Sequence, residues 1–75
     1  MKLPLLSSKE IITILNKMGF QEVRQKGSHK IFRHPDGRQT VVPVHSGRDV
    51  GRGLLRKIIN ETGLSRDEFL KYTRK

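Results

Sequence analysis

The stretch Gly27-Ser28-His29-Lys30-Ile31-Phe32-Arg33-His34-Pro35-Asp36-Gly37-Arg38-Gln39-Thr40-Val41-Val42-Pro43-Val44 reads as two β-strands around a tight turn. Pro35 presets φ and Gly37 permits φ > 0, so Pro35-Asp36-Gly37 closes an antiparallel hairpin between Ser28–His34 and Gln39–Val44. The second arm is rich in β-branched residues. Pro43 lacks a ladder donor, which suits a strand end or a sheet edge. Immediately upstream, Phe20–Gln25 reads as one more strand, ended by Lys26-Gly27.

Outward from these strands the period changes. Ser7-Ser8-Lys9-Glu10 is a capping box, with Ser7 as N-cap and Glu10 at N3, and Leu6 and Ile11 stand where a hydrophobic staple packs. Ile11, Ile14 or Leu15, and Met18 follow at helical spacing until Gly19. On the other side lies a Gly- and Arg-rich loop, His45 to Gly53. A second helix then carries Leu54, Leu55, Ile58 and Ile59 on one face and stops at Gly63. Ser65-Arg66-Asp67-Glu68 repeats the capping box, with Leu64 and Phe69 as its staple, and opens a short final helix.

The expected fold is therefore α+β, in the order α-β-β-β-α with a short C-terminal helix, over a single domain spanning residues 1–75. Two amphipathic helices can back only one face of a three-stranded antiparallel sheet, so the other face stays open. This is the layout of double-stranded-RNA-binding domains. Along the first hairpin arm His29, Ile31 and Arg33 share one side and Lys30, Phe32 and His34 the other. Each side holds one large apolar residue, so periodicity leaves open which of them meets the helices.

Composition narrows the function classes. Leu, Ile, Val and Phe account for 22 of the 75 residues, enough for a modest core. With no cysteine, disulfides and thiolate metal sites are excluded. Pro4, Ser7, Ser8, Lys9 and Glu10 interrupt the only apolar opening, and nothing approaches the roughly 18 apolar residues of a membrane span. The expected location is cytoplasmic. Lys and Arg number 16 against 7 Asp and Glu, a net charge of +9. A field of that sign attracts polyanions, nucleic acid foremost, although a merely soluble basic surface would carry the same charge.

The seven acids are scattered along the chain, and His29, His34 and His45 match no zinc spacing. No metal site and no cofactor is expected. Histidine exchanges protons near neutrality, which makes His29 either a proton-transfer residue or an ordinary half-exposed strand histidine. Arg48 and Arg52 flank a helix start, where the macrodipole disfavours cations by roughly 0.3–1 kcal/mol. A phosphate on that helix end would explain them, with Gly47, Gly51 and Gly53 allowing close approach; an ordinary flexible loop is the alternative. Arg56 and Lys57 continue the basic character.

Gly27-Ser28-His29-Lys30-Ile31-Phe32 resembles the G-S-H-x-x-[F/Y] signature of the HicA family, ribonuclease toxins of HicAB toxin–antitoxin pairs. The resemblance continues through Arg33-His34-Pro35-Asp36-Gly37-Arg38, Pro43-Val44-His45 and Gly53-Leu54-Leu55-Arg56-Lys57-Ile58-Ile59, and closes with Gly63-Leu64-Ser65 and Phe69. It covers nearly the whole chain. It implies a double-stranded-RNA-binding-like fold, cleavage of mRNA, an essential histidine at His29 and a HicB-type antitoxin that blocks the site. A histidine acting without metal can deprotonate a ribose 2′-OH, which then attacks the adjacent phosphate. Lys30, Arg33 or Arg48 could neutralise the growing charge, and His45 is a candidate second acid or base. Arg52, Arg56 and Lys57 complete the expected RNA contacts. A non-catalytic double-stranded-RNA-binding module, or a basic protein that docks an acidic partner, are the alternatives.

Overall fold

The computed structural model describes residues 5–44 and 49–73. Its elements run β1 (Leu6–Ser7), α1 (Ser8–Met18), β2 (Gln21–Lys26), β3 (His29–Arg33), β4 (Gln39–Pro43), β5 (Asp49–Val50), α2 (Arg52–Thr62) and α3 (Arg66–Lys71). Strands β2, β3 and β4 form an antiparallel sheet in that order, which leaves β4 at an edge, with Pro43 its last residue. The three-stranded sheet with its helices is the expected α+β, double-stranded-RNA-binding-like layout.

Both capping boxes form. Ser7 accepts from the N–H of Glu10 at 3.1 Å while Glu10 Oε1 accepts from the N–H of Ser7 at 3.0 Å. Ser65 and Glu68 repeat the exchange at 3.2 and 3.0 Å. Each box satisfies two orphan N–H groups of a helix end, which is why these short helices start where they do. Gly19 ends α1 at φ 100°, and a Cβ there would stand 3.1 Å from the His34 ring.

Tertiary structure adds two short strands that periodicity does not reveal. Leu6 pairs with Val50 and Ser7 with Asp49, forming a two-stranded sheet of its own. Burial of Leu6 and Val50 in the core holds this ladder, and neither two-residue segment carries a readable strand pattern. The expected loop is corrected accordingly: Asp49–Val50 is strand, Gly51 is the N-cap of α2, and Arg52 and Gly53 already lie in its first turn. Residues 45–48 lie outside the described residues.

One parity of β3 and β4 carries the buried residues of the sheet, while β2 is exposed throughout. Phe32, Thr40 and Val42 are almost wholly covered and pack with Ile11, Ile14, Leu15, Leu55, Ile58, Ile59 and Phe69. The face left open in the sequence reading is thereby assigned: Phe32 points to the helices, and His29, Ile31 and Arg33 occupy the opposite face. Strand β2 slips register between Glu22 and Arg24, a bulge that leaves Val23 exposed. His34 falls just outside β3 rather than within it. Its ring meets Phe20 edge-on at 5.2 Å, so it leaves the ladder to help close the hairpin.

The hairpin is fastened to the helices at both ends. At one end Arg38 donates from Nε to both Asp36 carboxylate oxygens (3.1 and 2.8 Å) and from Nη1 to the Thr62 carbonyl at the end of α2. Its guanidinium also lies 5.3 Å from the centre of the Phe20 ring. At the other end the Ser8 hydroxyl donates to the Pro43 carbonyl at 2.5 Å.

Candidate active site

His29 is the first residue of β3, immediately after the two-residue turn Gly27-Ser28. Gly27 has φ 60° while Ser28 does not leave the negative region, the pattern of a type II′ hairpin turn. This turn sets His29 opposite both Lys26 on β2 and Pro43 on β4. The side chain is exposed on the open face, and none of the described residues hydrogen-bonds its ring. It contributes nothing to the core.

Beside it runs a groove of about 180 Å³ lined by His29, Val41, Pro43, Leu54, Lys57 and Glu61. The first three come from the open side of the sheet. The last three are spaced three and four residues apart on α2, a stripe next to the core-facing Leu55, Ile58, Ile59 and Thr62. Because α2 packs along the edge strand β4, that second stripe borders the sheet edge. The buried hydroxyl of Thr40 donates to Glu61 Oε1 at 2.8 Å and fixes the carboxylate at the groove. The result is an apolar floor of Val41, Pro43 and Leu54 with an imidazole, an ammonium and a carboxylate around it.

The other expected site residues are distributed unevenly. Lys57 shares the groove with His29. Arg33 shares its face but lies at the far end of β3, where Nε and Nη2 donate to Gln39 Oε1 at 3.2 and 2.9 Å. Lys30 stands on the opposite, helix-side face, with Nζ 3.2 Å from Glu22 Oε1. Alternation along the strand thus keeps it out of the groove that His29 lines. Arg52 and Arg56 are exposed on α2, and Gly51 supplies no side-chain cap to that helix. His45 and Arg48 lie outside the described residues. Glu61 was not singled out from sequence, since a lone glutamate late in an amphipathic helix reads as a solvated position.

Among the described residues, no three His, Cys, Asp or Glu side chains converge as a metal-ion site, and no helix is long and apolar enough to cross a membrane. Asp36 is held below the ordinary carboxylate value, chiefly by the Arg38 side chain and then by its N–H. Glu68 is lowered by its capping bonds with Ser65. Both shifts belong to structural contacts away from the groove.

The fold and site define a class: a small, basic α+β protein with a double-stranded-RNA-binding-like sheet and an exposed histidine beside a groove. The family model described as HicA toxin of bacterial toxin–antitoxin matches residues 8–64, from the first residue of α1 to just beyond α2. The chain belongs to the HicA toxin family, and membership implies an antitoxin partner. No curated protein matches it.

Proposed function

We propose that this toxin is a metal-independent endoribonuclease that cleaves mRNA, with His29 as its catalytic histidine. The observation that carries the reading is the placement of His29: a proton-transfer side chain, exposed on the open sheet face, beside a groove that also holds the cation Lys57. Such a side chain can shuttle the proton when a ribose 2′-OH attacks its neighbouring phosphate. Lys57 is placed to meet the phosphate charge. Arg33, Arg52 and Arg56 extend the basic surface along which the strand would run, and Lys30, on the other face, adds only to the wider field. In this reading residues 1–75 act as one unit in the cytoplasm, and a HicB-type antitoxin silences the toxin by covering His29 and the groove.

Cleavage of a labelled RNA by the purified chain tests the proposal. His29→Ala should cut at least about 100-fold more slowly and lose toxicity on expression. Its thermal melt should be unchanged, because the side chain is exposed and lies outside the core. An active His29→Ala protein would overturn the assignment. A non-catalytic RNA-binding module remains the second reading, favoured by the open sheet layout itself. It requires salt-sensitive RNA binding without cleavage.

A further inference from the structure

Of the six acidic side chains that the structure describes, five have a charged partner or a capping role, and one has neither among the described residues. Glu10 and Glu68 close the capping boxes. Glu22 pairs with Lys30, Asp36 with Arg38, and Asp67 with Arg66. Glu61 is held instead by a neutral group, the Thr40 hydroxyl, which comes from the buried face of β4 and is only 1% exposed. The same carboxylate lines the groove beside His29. In a chain of net charge +9 that must attract a polyanion, a carboxylate at that position opposes substrate binding. Its placement is explained if it reacts.

We infer that Glu61 is the general base of the reaction and that His29 is its acid, an inference that rests on the ribonuclease reading above. Carboxyl side chains are ordinarily ionised at neutral pH, and in that form they accept a proton but have none to give. An imidazolium can give one. Glu61 takes the proton of the ribose 2′-OH, and that oxygen forms a bond to the adjacent phosphorus. The bond from phosphorus to the 5′ oxygen breaks as His29 delivers its proton to that oxygen. The products are a 2′,3′-cyclic phosphate and a 5′-OH end. Glu61 is left protonated and His29 neutral, and exchange with water restores both. The Thr40 hydroxyl occupies Oε1, which orients the carboxylate and leaves Oε2 for the ribose. Lys57, one helical turn before Glu61, stands on the same groove for the phosphate between them.

The test compares Glu61→Gln and His29→Ala on two substrates: an RNA oligonucleotide, and a nucleoside 3′-(4-nitrophenyl phosphate), whose leaving group departs without a proton. Glu61→Gln should lower the cleavage rate of both substrates at least about 100-fold. Its binding to 2′-O-methyl RNA should be unchanged or tighter. His29→Ala should lose as much on RNA but recover most of its rate on the nitrophenyl ester. Glu61→Asp, which restores a carboxylate but shortens its reach to Thr40, should cleave faster than Glu61→Gln. A merely structural Glu61 would instead make the two variants equally slow and equally low-melting, and would overturn the assignment. So would Glu61→Gln cleaving within about threefold of the parent, or the ester rescuing Glu61→Gln instead of His29→Ala. If the parent protein cleaves neither substrate, the ribonuclease reading falls, and the base assignment with it.

Discussion

Lys30 Nζ lies 3.2 Å from Glu22 Oε1 on the helix-side face of the sheet, although Lys30 is the next residue in sequence after His29. Strand alternation therefore puts two adjacent residues of the family signature on opposite faces of the sheet. Lys57, distant in sequence, takes the place beside His29 instead.

That separation predicts a difference between two lysines. Lys57→Ala should weaken binding to uncleavable 2′-O-methyl RNA and reduce the slope of log K against log salt by about one unit. Lys30→Ala should leave the slope unchanged and alter stability by less than about 1 kcal/mol, as expected of a partly exposed ion pair. Salt titrations of binding with the two variants measure this. Equal slopes for both variants would contradict the placement.

The Arg38 contacts predict a stability loss. Its bonds to Asp36 and to the Thr62 carbonyl join the hairpin to the end of α2. Arg38→Ala should destabilise the protein by about 1.5–3 kcal/mol in denaturant titration, the range for a bond to a charged donor. RNA cleavage well below the melting point should be retained, because Arg38 lies outside the groove.

Acid stability should depend on the same turn. Arg38 holds the Asp36 carboxyl below its ordinary value, and the Ser65 cap does the same for Glu68. A carboxyl lowered in the folded state contributes fully above its unfolded value, about 4, and loses that contribution as pH falls through the lowered folded value. Stability should therefore decline as pH falls below about 4. Asp36→Asn and Glu68→Gln should each flatten that decline in thermal melts collected from pH 6 to 2. A decline identical to the parent's in the double variant would refute the attribution.

The first capping box should matter to helix α1. Ser7→Ala removes the acceptor for the Glu10 N–H and should cost about 1 kcal/mol in denaturant titration. Ser7→Gly should cost less, since glycine is itself a tolerated N-cap.

The proposed chemistry makes cleavage independent of added metal and dependent on the 2′-OH. Cutting should persist in excess EDTA and stop when the one ribose before the cut is replaced by 2′-deoxyribose. Mass spectrometry of the products should show the 2′,3′-cyclic phosphate. Cleavage that survives the 2′-deoxy substitution would point to an activated water instead.

Sequence alone determined the parts of this protein that depend on near neighbours. Ser7 and Glu10, and Ser65 and Glu68, are three residues apart, so their capping boxes are complete within one turn of chain. Pro35-Asp36-Gly37 closes its hairpin by the same local logic, and the bounds of its strands and of the strand before them differ from expectation by no more than one residue, as fraying element ends do. The G-S-H signature was legible because it is contiguous. Tertiary structure alone decided what depends on packing between distant segments. The helix-side face of β3 is settled by Phe32 meeting residues of α1 and α2, since the strand presents one large apolar residue on each side. The β1–β5 ladder exists because Leu6 and Val50 share the core across more than 40 residues of chain. Glu61 and Lys57 come to His29 only because α2 lies along β4 and Thr40 reaches across to hold the carboxylate. Side chains from separate elements are brought together by burial of apolar surface elsewhere, and that burial leaves no spacing between them for a sequence to display.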